Sequence, residues 1–174
     1  LDEIIKEYPI KDLEDFVEDD DGLFNQKILN VAGERLSLND IQDIVYEKFD
    51  ADPINLYGFY YGHIGGPDIR KHAYSSDNLG RALTQNANLF INSNRGTFED
   101  KKNVFRVSSF YKRNKRYFPD FDKDLRVHLT EHLKDEEYIA LQNAKRIKTN
   151  IDAWQVTDVY GTTRQFGAGI NNNP

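Results

Sequence analysis

Cysteine and methionine are both absent from this chain of 174 residues. Without thiols there is no disulfide frame, no thiolate zinc site and no cysteine nucleophile, which removes several enzyme classes at once. From the missing initiator methionine, a processed chain or an excised domain is expected. Long apolar runs are also lacking. No stretch approaches the roughly 18–20 residues of a membrane-spanning helix, and the acidic start from Leu1 to Glu7 is not a secretory signal, so no membrane partner is expected. No P-loop, nucleophile elbow or dinucleotide fingerprint can be assembled; Gly167 and Gly169 lack a strand-turn-helix setting. Asp19, Asp20 and Asp21 precede Gly22 without the spaced ligands and closing glutamate of a calcium loop. Composition and periodicity leave the compartment open.

What the chain does hold is a core. Its length suits one domain, and 39% hydrophobic with 13% aromatic residues supplies the interior, while 30% charged residues imply a heavily solvated surface. Charge is unevenly spread. Residues 1–52 carry 16 acids against 5 bases, whereas residues 100–148 carry 13 bases against 8 acids. A basic region of this kind meets a polyanion, or else the acidic region of the same or another copy.

Hydrophobic spacing predicts the elements. Residues 1–20 read as an acidic helical segment broken at Pro9. Strand-like residues 23–31 and 35–38 form a hairpin turning at Gly33, and Ser37 with Asp40 has the spacing of a capping box for a helix over 40–50. A tyrosine-rich strand is expected at 55–63, helix at 68–73 and again from Ser76 to about 86, and strands at 88–92 and 103–111. The longest helix should lie within 120–147, with a last strand at 151–160 and a polar tail at 161–174. The expected fold is therefore α+β: a single domain over 1–160, with a mixed or mainly antiparallel sheet flanked by three or four helices.

The densest chemical signal is residues 101–118. Lys101, Lys102, Arg106, Lys112, Arg113, Lys115 and Arg116 are interleaved there with Phe105, Phe110, Tyr111, Tyr117 and Phe118. Cations bind phosphates through charge-assisted hydrogen bonds, and rings such as Tyr111 and Tyr117 stack on unpaired bases, so the segment suits single-stranded nucleic acid. The bland alternative packs the rings as a strand's core and leaves the lysines to reach water.

A second pattern is His128-Leu129-Thr130-Glu131-His132, which puts two imidazoles on one helical face with a carboxylate between them. The order resembles the inverted zinc motif of the insulinase-like metallopeptidases. That resemblance implies histidine metal ligands, a glutamate base and a further acidic ligand far downstream, for which only Glu136 or Glu137 stands nearby. The alternative is a pair of packed or solvated histidines.

A third pattern, Tyr60-Tyr61-Gly62 followed by Arg70, is similar to the second half of the GIY-YIG nuclease core. The first tyrosine motif of that family has no counterpart here, since Tyr46 falls in the helix expected at 40–50. The resemblance implies phosphodiester cleavage, with Tyr60 near the attacking water, Arg70 on the scissile phosphate and Glu131 holding a divalent metal, Mg or Mn. Two readings of function follow. One is a nucleic-acid-associated protein that grips phosphates through its basic aromatic segment, with metal-dependent cleavage as an added activity. The other is a protein-interaction or self-assembly module, in which the acidic half of one copy docks on the basic patch of another.

Overall fold

The structure is a computed structural model that describes residues 22–62, 65–100 and 103–151. The acidic segment 1–20, the pair Lys101 and Lys102, the end of the strand expected at 151–160 and the tail 161–174 lie outside the described residues.

Local sequence signals set the first elements. Strands β1 (Leu29–Val31) and β2 (Glu34–Leu36) pair antiparallel with Leu29 opposite Leu36. Their turn places Ala32 at φ 52° and Gly33 at φ 90°, the left-handed pair that matches the twist of a two-residue hairpin. Helix α1 (Leu38–Lys48) starts on the expected capping box: Ser37 Oγ accepts from Asp40 N at 3.0 Å, and Ser37 N donates to Asp40 Oδ2 at 2.7 Å. Those bonds, the backbone one foremost, hold the Asp40 carboxyl below its ordinary value.

The strand expected at 55–63 is instead a short 3-10 helix, Pro53–Gly58, followed by irregular chain. Asp52 caps it by accepting from Ile54 N at 2.9 Å, and Pro53 occupies the first turn, where no amide hydrogen is needed. The consecutive residues Leu56 and Tyr57 are both buried, which alternation along a strand with one solvated face does not allow.

Helix α2 (Leu79–Ile91) buries Ala82, Leu83, Asn86, Ala87, Phe90 and Ile91, a stripe of helical period. It thereby absorbs the strand expected at 88–92, since Phe90 and Ile91 share its inner face while Leu89 is exposed. The helix expected at 68–73 is irregular chain, tied down because the buried Asn86 side chain donates to Tyr57 O at 2.8 Å and to Asp68 O at 3.2 Å.

Strands β3 (Thr97–Asp100) and β4 (Val104–Ser108) pair antiparallel, and β4 pairs in parallel with β5 (Arg146–Ile151), giving a mixed sheet in the order β3-β4-β5. Strand β4 stops at Ser108 rather than Tyr111. Ser108 Oγ accepts from Phe110 N at 3.1 Å and donates to Gly65 O at 2.7 Å, turning the chain into helix α3 (Ser109–Arg113). The long helix expected within 120–147 divides into α4 (Phe121–Thr130) and α5 (Asp135–Asn143), and β5 begins at Arg146. Asn92 fixes the break: its amide donates to His132 O at 2.9 Å and accepts from Lys134 N at 3.1 Å. Among the described residues the architecture is α+β with two small sheets, as the sequence predicts.

One aromatic cluster joins the helices to the sheet. Tyr57, Phe90, Phe105, Phe110, Tyr111 and Phe118 are fully buried with Leu125, Leu129 and Leu141. Ring pairs such as Phe90–Phe110 at 5.5 Å and Phe110–Tyr111 at 5.3 Å meet edge to face, each contributing about 0.5–1.5 kcal/mol beyond area burial.

Candidate anion-binding cleft

Irregular chain at 68–74 runs beside α2 because Asn86 anchors it, and the first turn after α4 reaches the same helix because Asn92 anchors that. Between them opens a cleft of about 910 Å³, lined by Arg70, His72, Asn78, Arg81, Ala82, Thr84, Gln85, Asn88, Leu89 and Lys134. Three permanent cations and a histidine stand on its walls, and no carboxylate does. In a chain of net charge −6 that segregation is a local inversion of sign.

The cations are not consumed by the fold. Arg81 and Lys134 make no ion pair among the described residues, and Arg70 meets only neutral acceptors, donating to Ala82 O at 3.0 Å and to Gln85 Oε1 at 3.5 Å. Nε of Arg70 is buried without a partner, and its guanidinium sits 5.7 Å from the centre of the Tyr74 ring. Arg70 and His72 also line an adjoining pocket of about 220 Å³ with Phe59, Tyr60 and Tyr74. Asp68, the carboxylate among that pocket's lining residues, is held by the Arg95 guanidinium through bonds of 3.0 and 2.6 Å. Rings and free cations thus meet along one continuous surface.

Asn88 leads from the cleft floor into the core. Its Oδ1 lies 2.8 Å from His132 Nδ1, and the His132 ring stands 5.1 Å from that of His128. His128 Nε2 lies 2.8 Å from Tyr57 Oη, which in turn lies 3.2 Å from Tyr111 Oη. Burial pushes the His128 imidazole down to about 3, helped by the neighbouring His132, and pushes the Tyr57 and Tyr111 phenols up. Burial also lowers His132, against the opposing pull of Glu131 and Asp52. Ligand atoms of His128, Glu131 and His132 lie within 4.8 Å of one another.

The described cations of the basic aromatic segment fall on β4, on helix α3 and on the short 3-10 turn Lys115–Tyr117. Tyr111 is fully buried with its hydroxyl engaged, and Tyr117 is buried edge-on against Tyr46 at 4.8 Å, so neither ring presents a face to solvent. Arg116 is paired with Asp43 and stacked over Tyr46, which removes it from the free cations. Arg106 lies on β4, half-buried beside Phe98, and Arg113 donates to Ser109 Oγ at 3.0 Å on the short α3. Lys112 and Lys115 are exposed.

Of the nuclease-like trio, Tyr60 and Arg70 come together on the smaller pocket, but Glu131 lines neither opening. Arg70 also lies in irregular chain rather than at a helix start, which departs from the setting that the resemblance implies. Sequence reading does not single out Arg81, His72 or Lys134 as site residues. They are far apart in the chain, and the signal available was the carboxylate-free outer face of α2.

Comparison with protein-family models, curated proteins and solved structures gives no match.

Proposed function

We propose that this protein binds the phosphate backbone of single-stranded nucleic acid in the cleft along α2. The observation that carries the reading is the cleft wall itself, where Arg70, Arg81, Lys134 and His72 gather without a carboxylate in an acidic chain. Each neutralised phosphate releases condensed counterions, and the cleft lining holds no carboxylate to compete for those cations. Side-chain amides of Asn78, Gln85 and Asn88 offer donors and acceptors to base edges, and Phe59, Tyr60 and Tyr74 in the adjoining pocket offer ring faces. Phosphate contact and stacking side by side are what an unpaired strand requires and a duplex does not use.

Fluorescence anisotropy with labelled single-stranded oligonucleotides tests it. Three neutralised phosphates give a slope of log affinity against log salt of about −2, and Arg81→Glu weakens binding at every sequence tried. Affinity unchanged by salt or by Arg81→Glu refutes the reading.

A self-assembly module is the second reading, favoured by one observation: α1 buries none of its residues, and Ile28, Val31, Ile44 and Phe49 around it are exposed. Light scattering separates the two, since a stable oligomer that binds no oligonucleotide supports assembly alone.

A further inference from the structure

We infer that His128, Glu131 and His132 form a binding site for a divalent transition metal of the zinc class. The inference is separate from the ligand of the α2 cleft and stands on the geometry around the two imidazoles. Their ligand atoms and the Glu131 carboxylate already lie within 4.8 Å of one another, against about 3.3 Å between donors in a tetrahedral shell. Glu131 is exposed and sits at the end of α4, where its side chain is free to swing.

The supporting contacts distinguish this cluster from three polar groups that happen to meet. A metal-bound histidine donates its second ring nitrogen to a neighbouring acceptor, which fixes both tautomer and ring orientation. His132 has that arrangement: the amide oxygen of Asn88 only accepts, so Nδ1 at 2.8 Å carries the proton and Nε2 presents its lone pair. His128 has the equivalent partner in Tyr57, 2.8 Å from Nε2, so donation to the phenol oxygen leaves Nδ1 as the ligand atom. Asn92 adds a third restraint by binding His132 O at 2.9 Å, which holds the turn that carries the ligands.

Donor chemistry sets the class of ion. Two imidazoles and one carboxylate suit Zn²⁺, Co²⁺ or Ni²⁺, whereas Mg²⁺ and Ca²⁺ favour all-oxygen shells. Three protein donors leave a position for water or for an anionic oxygen. Asn88 both lines the cleft and bonds the His132 ring, so the site adjoins the cationic surface.

Titration of Co²⁺ into the full chain, stripped of metal beforehand with a chelator, reads the proposal directly. The expected result is a one-to-one complex with the visible absorption of four- or five-coordinate Co²⁺, displaced by Zn²⁺ and unaffected by excess Mg²⁺. Glu131→Gln, at an exposed position, weakens affinity about 10-fold or more; His132→Ala abolishes the spectrum; Asn88→Ala, one step removed from the metal, weakens affinity about 10-fold. Absence of the one-to-one complex, or affinity that Glu131→Gln and His132→Ala both leave unchanged, overturns the proposal.

Discussion

The hydroxyl of Tyr57 lies 2.8 Å from Nε2 of His128, bridging the 3-10 helix at Pro53–Gly58 and helix α4 through the centre of the core. The two rings stack at 5.6 Å, and Tyr111 approaches the same hydroxyl at 3.2 Å. Three polar side chains therefore satisfy one another where water does not reach, and the imidazole is held neutral.

Neutrality of His128 makes stability depend on pH. Unfolded, the ring titrates near 6.5; folded, it titrates at about 3. Between those values the unfolded chain binds a proton that the folded chain refuses, so stability is full above pH 6.5 and falls as pH drops towards 3, by up to about 1.4 kcal/mol per pH unit. His132, also lowered, acts with the same sign, while Asp40 loses its stabilising bonds only below the usual carboxylate range. Urea midpoints should decline from pH 7.5 to pH 5, and His128→Gln should flatten that slope; an unchanged slope contradicts the burial argument.

Removing the two phenol hydroxyls should have unequal effects. Tyr111→Phe deletes one end of the chain and costs about 1 kcal/mol, a typical neutral hydrogen bond. Tyr57→Phe strips both neighbours and leaves a buried imidazole nitrogen unpaired, costing about 1–3 kcal/mol more. Chemical denaturation of the two variants gives the order directly, and the reverse order would show that the bridge does not pass through Tyr57.

How much of this was legible in the sequence depends on the range over which each signal acts. The capping box at Ser37 and Asp40 and the turn at Gly33 are local devices, complete within four residues, and both stand where the sequence places them. Leu89, Phe90 and Ile91 look like a strand because three apolar residues in a row carry no period; only the Phe90 and Ile91 contacts with the aromatic cluster assign them to a helix. Likewise the interruption between α4 and α5 is imposed by Asn92, about 40 residues away in sequence, and no pattern within 120–147 announces it. The cationic cleft failed to show for the same reason: Arg70, Arg81 and Lys134 share a surface only after α2 has gathered their segments. Conversely Lys112, Lys115 and Arg116 are neighbours in sequence, yet Asp43 takes the arginine out of play.

Glycine substitutions probe how tightly α2 meets β3. A Cβ on Gly96 would overlap the Phe90 carbonyl oxygen and crowd Ile91 Cα, both backbone atoms that cannot swing aside, whereas a Cβ on Gly80 would meet nothing. Gly96→Ala should therefore destabilise by roughly 3 kcal/mol or more, and Gly80→Ala should stabilise by a few tenths to about 1 kcal/mol through helix propensity. Thermal unfolding of the pair reads both signs, and tolerance of Gly96→Ala would mean that the α2–β3 junction is looser than its packing.

Two groups of cations compete for the role of phosphate contact. Lys112 and Lys115 are exposed on short elements whose rings Tyr111 and Tyr117 are buried, while Arg81 and Lys134 face a cleft that no carboxylate lines and that adjoins the half-buried rings of Phe59, Tyr60 and Tyr74. Charge reversal at both members of a group changes the net charge equally, from −6 to −10, so the long-range field alone predicts the same loss of oligonucleotide affinity from either pair. Direct phosphate contact predicts a difference. Arg81→Glu with Lys134→Glu should weaken binding at least about 10-fold more than Lys112→Glu with Lys115→Glu and should lower the salt slope, because only contacted cations release counterions. Equal losses, with equal salt slopes, would assign the binding to net charge and not to the cleft along α2.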